Sequence, residues 1–298
     1  MSILRTIELT KRFRGTLALD RLNLDVPEGS VFALVGANGA GKTTAIKILM
    51  NIHAPTSGQA EALGIDSQKL SPVEFQQIGY VSENQEMPEW MTVGYFMAYL
   101  KPFYPTWDDA RAEELLRQFD LPRDRKLKHL SRGMKMKAAL ASSLAYRPRL
   151  IVLDEPFTGL DPLVRDEFIE GLIDSASEAT ILISSHDLAE IESFASHVGY
   201  LEKGRLQFSE EMTALSGRFR EVEVTLDAAP VLPANWPGSW LRPETSAAVV
   251  RFVESQFDEA RTMAEVRKLF GEPRGIAITP MPLRSIFVTL AKAERRAA

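Results

Sequence analysis

Residues 36–43 read Gly-Ala-Asn-Gly-Ala-Gly-Lys-Thr, a loop in which three glycines precede a lysine and a threonine. The apolar residues 31–35 predict a buried strand before the loop, and residues 44–50 predict a helix after it. Glycines let the backbone turn tightly with its N–H groups directed inward, and a helix N-terminus adds about half a positive charge. This spacing is typical of a loop that binds the polyphosphate of a nucleotide. A plain glycine turn is the alternative, and the added Lys-Thr pair argues against it.

Two side chains at the end of this loop have predicted roles. Lys42 should reach the β and γ phosphates of a nucleoside triphosphate, and the Thr43 hydroxyl should hold Mg²⁺. The predicted nucleotide-binding residues of the loop and of the helix start are Gly36, Asn38, Gly39, Ala40, Gly41, Lys42, Thr43 and Thr44.

A pair of acidic residues, Asp154 and Glu155, follows the apolar segment 150–153. Carboxylates in an apolar setting need an electrostatic partner, and Mg²⁺ would supply one. We expect Asp154 to hold the metal through a water molecule, and Glu155 to orient or deprotonate the water that attacks the γ-phosphate. An Asp-Glu pair alone is weak evidence, but its combination with the glycine loop is strong.

The elements that must position these residues alternate between strands and helices. The first thirty residues indicate a small antiparallel sheet, and residues about 84–147 indicate a helical insertion. The apolar segments 31–35, 150–153 and 181–183 are each followed by polar residues and then a helix. This pattern predicts an α/β core with a mainly parallel sheet that binds ligands at the carboxyl ends of its strands.

The chain changes character near residue 215, and we divide it into a main domain, 1–212, and a small α+β domain, 213–298. In the second domain we expect a proline-containing loop over 230–243 and a helix over 257–270. Its final helical stripe consists of Leu283, Ile286, Phe287 and Leu290. This domain shows no site chemistry, and its role stays open between bracing a dimer, regulating hydrolysis and closing the core.

Composition limits the partners that this chain can have. The 298 residues carry a net charge of −5 with a pI near 5.6, which argues against nucleic acid as the main partner. The chain has no cysteine, which fits a cytosolic protein without disulfides. No segment approaches the ~18 to 20 apolar residues that a membrane crossing needs, and the N-terminus lacks a secretory signal. We therefore expect a soluble chain whose role at a membrane comes through a partner subunit.

Further segments occur in the order found in ATP-binding cassette (ABC) ATPases. Residues 130–134, Leu-Ser-Arg-Gly-Met, resemble the family signature Leu-Ser-Gly-Gly-Gln, residues 159–161 resemble the D-loop, and residues 184–186 resemble the segment that carries the switch histidine. With the glycine loop and the acidic pair, the resemblance covers residues 1 to about 212. It implies a P-loop NTPase fold that binds and hydrolyses ATP with Mg²⁺.

The resemblance assigns roles around the ATP bound by the chain itself. Phe13 would stack on the adenine, with a core phenylalanine as the alternative, and His186 would donate to the γ-phosphate and so distinguish ATP from ADP. Glu83 takes the place of the usual Q-loop glutamine and would contact Mg²⁺ and the attacking water. Gln85 is the alternative residue for this role.

The same resemblance assigns other residues to the ATP bound on a second subunit. Ser131 and the backbone N–H groups near Gly133 would face the γ-phosphate of the opposite cassette, and Asp161 is the D-loop aspartate. Arg132 and Met134 depart from the usual signature residues, which leaves the capping geometry and the turnover rate open. Two cassettes would then enclose two ATP molecules, and a homodimer is expected rather than a heterodimer.

Seven aromatic residues follow the Q-loop between positions 90 and 107, where ABC transporters receive a coupling helix of the membrane subunit. Some should pack the helical insertion, and some should be exposed for docking. Residues 103–108, the Ser-Arg-Gly-Met-Lys run, Glu83 and residues 285–287 resemble the bacterial ABC-2-type exporter branch. We therefore predict the cytoplasmic ATPase subunit of an exporter, held at the inner face of the cell membrane by a separate permease. The alternatives are a soluble ABC ATPase that acts on ribosomes or DNA, and a non-catalytic binding module.

Overall fold

The computed structural model describes residues 1–175, 179–231, 233 and 235–297. The chain forms two compact units, Met1–Ser209 and Glu210–Ala298. The division falls close to the expected one between residues 212 and 213. Residues 232 and 234 of the expected proline-containing loop lie outside the described residues.

The first unit alternates strands and helices along most of its length. Its strands are β1 (Ser2–Phe13), β2 (Thr16–Leu22), β3 (Asp25–Pro27), β4 (Val31–Val35), β5 (Ser57–Ala62), β6 (Ile65–Asp66), β7 (Ile78–Ser82), β8 (Leu150–Asp154), β9 (Thr180–Ser185), β10 (His197–Glu202) and β11 (Arg205–Glu211). Its helices are α1 (Lys42–Leu49), α2 (Pro72–Phe75), α3 (Val93–Leu100), α4 (Asp109–Gln118), α5 (Arg132–Leu144) and α6 (Pro162–Ser175).

The central sheet has the strand order β11-β10-β4-β9-β8-β7. The strands from β10 to β7 run parallel to one another, which confirms the predicted mainly parallel sheet. β8 and β9 are buried at every position, as the central strands of such a sheet require. Asp154 pairs in register with Ser82 on one side and with Ser184 on the other. Polar residues at the ends of three strands therefore meet at one edge of the sheet.

A second, antiparallel sheet contains the three strands of the first thirty residues, as predicted, and two further strands, β5 and β6. Its strand order is β2-β1-β5-β6, and β3 pairs with β1. Leu4 and Leu22 from this sheet share one buried core with Phe32 from β4 and Ile46 from α1. Because β4 and α1 are both anchored in this core, the glycine loop that joins them is held at both ends.

The chain between β7 and β8 is mainly helical, in agreement with the predicted insertion. Thr92, Asp108 and Ser131 stand at the N-caps of α3, α4 and α5, and each side chain accepts a hydrogen bond from a backbone N–H in the first turn. These caps fix where each helix begins, including the one that carries the signature segment. None of the helices in the described ranges combines the length and the apolar character that a bilayer crossing requires.

The second unit is an antiparallel sheet with helices. Its elements are α7 (Met212–Arg218), β12 (Arg220–Thr225), β13 (Trp240–Ser246), β14 (Val249–Glu254), α8 (Glu259–Phe270), β15 (Gly275–Pro280) and α9 (Leu283–Ala297). The strand order is β13-β14-β12-β15, with antiparallel pairing throughout. In its core, Trp240 stacks on Phe252 with ring centroids 3.6 Å apart, and Leu283, Ile286 and Phe287 of α9 are buried.

The expected loop over 230–243 ends earlier than predicted, because β13 begins at Trp240 and contains Pro243. Proline has no N–H for a strand ladder, and it is tolerated on an edge strand or at an irregularity. β13 is at one edge of its sheet, and its pairing with β14 shifts register between Leu241 and Glu244. Pro243 lies within that shift, so the sheet accommodates the missing donor.

Candidate nucleotide site

The glycine loop uses its glycines for two different physical reasons. Gly39 and Gly41 have φ angles of 81° and 112°, in the left-handed region that favours glycine. Gly36 lies outside that region. A Cβ there would lie 2.2 Å from the carbonyl oxygen of Leu201 on β10, so Gly36 is required by a close approach of two backbones. The turn function that we predicted for this glycine is therefore wrong, and packing explains it instead.

Lys42 lies at the centre of the loop with only 5% of its surface exposed. Its Nζ donates to the carbonyl oxygen of Gly36 at 2.6 Å and lies 3.3 Å from that of Ala37. It also lies 3.0 Å from Glu155 Oε1, across the edge of the sheet. The backbone of the loop thus fixes the ammonium group where the acidic pair and the start of α1 converge.

Asp154 is a buried carboxylate held by two hydroxyl groups. Its Oδ1 accepts hydrogen bonds from Thr43 Oγ1 at 3.0 Å and from Ser184 Oγ at 2.7 Å. Burial raises the pKa of Asp154 above its ordinary value, although both hydroxyl donors act against the rise. A hydroxyl oxygen and a carboxylate oxygen in contact are donors of the kind that Mg²⁺ prefers, with water completing the shell. Thr43 and Asp154 therefore fit the predicted metal.

Glu155 lies between the ammonium group of Lys42 and the imidazole ring of His186. Its Oε2 lies 2.7 Å from His186 Nδ1, and its other oxygen contacts Lys42. Burial by itself would raise the pKa of Glu155, but the hydrogen bonds from His186 and Lys42 outweigh it and hold the pKa below its ordinary value. The hydrogen bond to Glu155 raises the pKa of His186. Lys42, Glu155 and His186 form one connected charge cluster.

The backbone at Glu155 is also unusual. Its φ is 52°, an uncommon value for a residue with a side chain, and such values concentrate at functional sites. Its N–H donates to Ser184 Oγ at 2.9 Å, and its carboxylate accepts from Thr158 Oγ1 at 3.3 Å. These contacts hold the carboxylate at the mouth of the site in a geometry that a regular strand end would not give.

A cavity of about 430 Å³ opens beside these groups; the predicted metal ligand Asp154 lies behind it and does not line it. Its lining residues are Ala18, Asn38, Gly39, Ala40, Gly41, Lys42, Thr43, Thr44, Glu83, Glu155, Thr158 and His186. The predicted loop residues other than Gly36 therefore meet the predicted Glu83, Glu155 and His186. The cavity combines cations and a helix N-terminus, which suit a polyanion, with a carboxylate that could accept a proton from water.

Phe13 is not a core residue, so that alternative is wrong. It ends β1 with 40% of its surface exposed. Its ring meets the ring of His53 edge-on at 5.7 Å between centroids, and Lys11 Nζ lies 4.7 Å from its centroid. The ring is therefore partly exposed to solvent, and its role under the adenine stays a prediction.

Glu83 rather than Gln85 lines the cavity. Its N–H donates to the carbonyl oxygen of Asp154 at 3.0 Å, which fixes it at the strand edge, and its Oε1 accepts from Arg132 Nη2 at 2.6 Å. Gln85 Oε1 accepts from the Ser82 N–H at 3.4 Å. Within the described ranges, no three His, Asp or Glu side chains form a metal-binding group. The contact of Glu83 with Mg²⁺ stays a prediction, because its carboxylate binds Arg132 here.

Ser131, Gly133 and Asp161 do not line this cavity. Ser131 Oγ accepts from the Met134 N–H at 3.2 Å, and Asp161 Oδ1 accepts from the Val164 N–H at 3.1 Å. The serine therefore caps its helix in spite of the changed signature. The placement of these groups outside the chain's own cavity fits residues that act on a second subunit, and that role stays a prediction.

The aromatic residues after β7 divide into buried and exposed groups, as predicted. Phe96 is buried, and Tyr104 stacks on Tyr146 with centroids 3.8 Å apart. Trp90, Tyr95, Tyr99 and Phe103 are each between 47% and 64% exposed. The ring centroids of Trp90 and Tyr95 lie 5.6 Å apart, and those of Tyr99 and Phe103 lie 5.7 Å apart.

Three contributors to the site were missed in the sequence. Ser184 bridges Asp154 and the Glu155 backbone, Thr158 contacts the Glu155 carboxylate, and Ala18 lines the cavity from β2. For Ser184 a signal was present, because it directly follows the predicted strand 181–183, as Asp154 follows the predicted strand 150–153. Ala18 has a small apolar side chain in a distant hairpin and carries no signal of its own.

Comparison with known proteins agrees with this site. A family model described as ABC transporter matches residues 19–158. The ABC transporter ATP-binding protein YtrB of Bacillus subtilis is 31% identical over 74% of this chain and 76% of its own length. The daunorubicin/doxorubicin resistance ATP-binding protein DrrA of Streptomyces peucetius is 28% identical, and the match covers 96% of this chain and 92% of that protein.

A solved structure of the ATP-binding subunit of an ABC transporter has the same fold, with a TM-score of 0.66 and 27% identity. The match covers 72% of this chain and 92% of that one. The curated relatives are transporter ATP-binding and drug-resistance proteins, which favours a transporter subunit over an ATPase acting on ribosomes or DNA. The chain belongs to the ATP-binding proteins of ABC transporters, and it is the ATP-hydrolysing subunit of a membrane transporter.

Proposed function

We propose that two copies of this chain close around two Mg-ATP molecules, and that hydrolysis of the ATP drives a separate permease that exports a substrate. The observation that carries this proposal is the cluster of Lys42, Glu155 and His186 at the mouth of the glycine loop. It combines a lysine ammonium, a histidine and one carboxylate next to the loop that we propose binds the terminal phosphate of a nucleotide.

The contacts of Glu155 suggest how ATP binding prepares hydrolysis. Lys42 and His186 both contact its carboxylate, and a γ-phosphate at the mouth of the loop would compete for both cations. Loss of these partners would return the pKa of Glu155 towards its ordinary value and make it a better base. The carboxylate would then be available to take a proton from the attacking water, while His186 would donate to the phosphate.

Thr43 and Asp154 would hold Mg²⁺, with Glu83 as a further candidate ligand. Bound Mg²⁺ would neutralise charge on the β- and γ-phosphates during transfer. The backbone N–H groups of the glycine loop and of the start of α1 would bind the phosphates, and Phe13 would stack on the adenine. These roles follow from the matching positions and from the oxygen and nitrogen donors that the site presents.

The second nucleotide contact comes from another copy of the chain. Ser131 caps α5 and Gly133 lies in its first turn, and neither they nor Asp161 line the chain's own cavity, so we infer that they complete the site of a facing subunit. ATP would then contact both copies only when they are closed, and this difference in affinity can shift the population towards the closed dimer. The presence of both half-sites in one chain supports a homodimer.

The exposed aromatic residues supply a surface for the permease. Four large aromatic side chains are exposed there, and aromatic residues are enriched in protein interfaces. They are Trp90, Tyr95, Tyr99 and Phe103. Docking there would hold the chain at the inner face of the cell membrane. The name of the relative DrrA, a drug-resistance protein that matches nearly the whole chain, supports export as the direction.

Substitution Glu155→Gln tests the proposed chemistry. The variant should bind ATP, lose most hydrolysis, and accumulate as a stable dimer, because the phosphate contacts stay and the base is lost. Hydrolysis is measured by phosphate release, and assembly by size-exclusion chromatography with light scattering in the presence of Mg-ATP. Normal hydrolysis by Glu155→Gln would show that the assignment of the base is wrong.

Two controls make this result specific. Glu28→Gln removes an exposed carboxylate that pairs with Arg149 at 2.8 Å and should leave hydrolysis unchanged. Lys42→Ala should lose nucleotide affinity and therefore form no ATP-dependent dimer. ATP binding by Lys42→Ala at the original affinity would contradict the assignment of the glycine loop.

A further inference from the structure

Two residues that depart from the usual family pattern bind each other in this structure. Glu83 stands where the Q-loop usually has glutamine, and Arg132 stands where the signature usually has glycine. Arg132 Nη2 donates to Glu83 Oε1 at 2.6 Å. Each residue by itself would add an unpaired charge next to the nucleotide site, so the two departures compensate for each other as an ion pair.

Glu83 connects this pair to the chain's own nucleotide site. Its N–H donates to the carbonyl oxygen of Asp154, and its side chain is 28% exposed at the cavity that Lys42 also lines. Glu83 is thus bonded to the backbone of the residue that is predicted to hold the metal. One backbone hydrogen bond therefore connects the ion pair to the strand end that carries Asp154 and Glu155.

Arg132 connects the pair to the groups that face the second subunit. It is the first residue of α5 and follows Ser131, which caps that helix. The guanidinium also lies against the D-loop, since a Cβ on Gly159 would lie 2.9 Å from Arg132 Nη1. The next residue of the helix, Gly133, is packed so closely that a Cβ there would lie 2.6 Å from Val164 Cγ1. The start of α5 is therefore held against both the D-loop and α6.

We propose that the Glu83–Arg132 ion pair fixes the start of the signature helix to the Q-loop, so that occupation of one ATP site positions Ser131 for the other. The two residues are positioning residues, and they make hydrolysis at the two sites cooperative. This role rests on the proposed closed dimer. It explains why an arginine is present beside Ser131, where a bulky side chain would otherwise only crowd the D-loop.

A double-mutant cycle on the full-length chain tests the pair. Glu83→Gln restores the usual Q-loop residue and removes the charge, and Arg132→Gln removes the other charge without adding a glycine to the helix. We expect each single substitution to lower kcat roughly 3- to 10-fold and to bring the Hill coefficient for ATP towards about 1. The double variant should be no worse than the poorer single variant, because each substitution breaks the same contact.

Two comparisons separate positioning from general damage. Arg149→Gln breaks an exposed arginine–carboxylate pair of similar geometry, Arg149 Nη2 to Glu28 Oε1 at 2.8 Å, and should leave kcat and the Hill coefficient unchanged. Arg132→Lys keeps the positive charge and should recover most of the lost cooperativity. ATP binding, measured by titration with a fluorescent analogue, should change less than about twofold in the three variants Arg132→Gln, Arg132→Lys and Arg149→Gln, because neither arginine lines the nucleotide cavity.

The outcomes distinguish this proposal from the proposed function. If the kcat losses of the two single substitutions multiply in the double variant, the ion pair does not link the two sites. The same holds if neither single substitution changes the Hill coefficient. Loss of hydrolysis in Glu155→Gln, measured in the same series, would support the proposed function in either case. Normal hydrolysis in Glu155→Gln would instead overturn the function on which the pair depends.

Discussion

Substitution Ser184→Ala tests how the site holds its acidic pair. The Ser184 hydroxyl donates to Asp154 Oδ1 at 2.7 Å and accepts from the Glu155 N–H at 2.9 Å. Asp154 is only 5% exposed, so water cannot readily replace the lost donor. The variant therefore loses two hydrogen bonds. One is to the Asp154 carboxylate, and the other is from the backbone N–H of Glu155, whose φ is 52°. No other residue in the described ranges makes both of these contacts.

The expected cost follows from these two contacts. A hydrogen bond to a charged group contributes about 1.5 to 3 kcal/mol and one to a neutral group about 1 kcal/mol, so Ser184→Ala should lower the free energy of unfolding by roughly 2.5 to 4 kcal/mol. Ser142→Ala is the matched control. Its buried hydroxyl donates to the carbonyl oxygen of Ala139 at 2.8 Å within the same helix, so its removal should cost about 0.5 to 1.5 kcal/mol.

Dependence on pH gives a second readout. Burial raises the pKa of Asp154, so the folded state loses stability as pH rises through that pKa and the carboxylate ionises. The Ser184 hydroxyl stabilises the ionised form, and its loss should therefore cost more above this pKa than below it. Urea unfolding of both variants over a range of pH measures the difference. A Ser184→Ala variant that matches Ser142→Ala at every pH would refute this account of the acidic pair.

The glycine loop was predictable because its function depends on local geometry. The positive φ angles of Gly39 and Gly41 and the inward position of Lys42 arise within eight residues of chain. Gly36 was correctly predicted to be part of the loop, but the reason why a glycine is needed there was wrong. Its constraint is the carbonyl oxygen of Leu201, more than 160 residues away, and only the paired strands β4 and β10 bring the two together.

The contacts that join different strands were harder to predict. Alternating strands and helices correctly indicated that polar strand ends meet at one edge, yet the register that pairs Asp154 with Ser184 could not be read from the sequence. The same limit applies to Glu83 and Arg132. Each was visible as a departure from the family pattern, but their contact depends on how α5 packs beside the end of β7.

The second unit shows where turn signals mislead. Four prolines between 230 and 243 indicated a loop, and β13 nevertheless begins at Trp240. Burial of this tryptophan against Phe252 outweighs the local preference, and the register shift around Pro243 removes the conflict with the ladder. Tertiary packing thus decides the extent of a strand whose local sequence favours a turn.

Two further predictions concern the side chains around the nucleotide. Phe13→Ala should weaken ATP binding roughly 5- to 150-fold by removing about 1 to 3 kcal/mol of stacking, while Phe13→Trp should keep the affinity. Titration with a fluorescent analogue measures both, and an unchanged affinity in Phe13→Ala would exclude stacking. His186 should titrate above its ordinary pKa of 6.5, because Glu155 Oε2 lies 2.7 Å from its Nδ1, so this pair stabilises the folded state below pH 6.5 and loses its effect as pH rises through the raised pKa. In Glu155→Gln the pKa should fall back towards 6.5. NMR titration of the four histidines, with His186→Gln to assign the signal, measures this, and an unchanged pKa in Glu155→Gln would show that another group holds the proton.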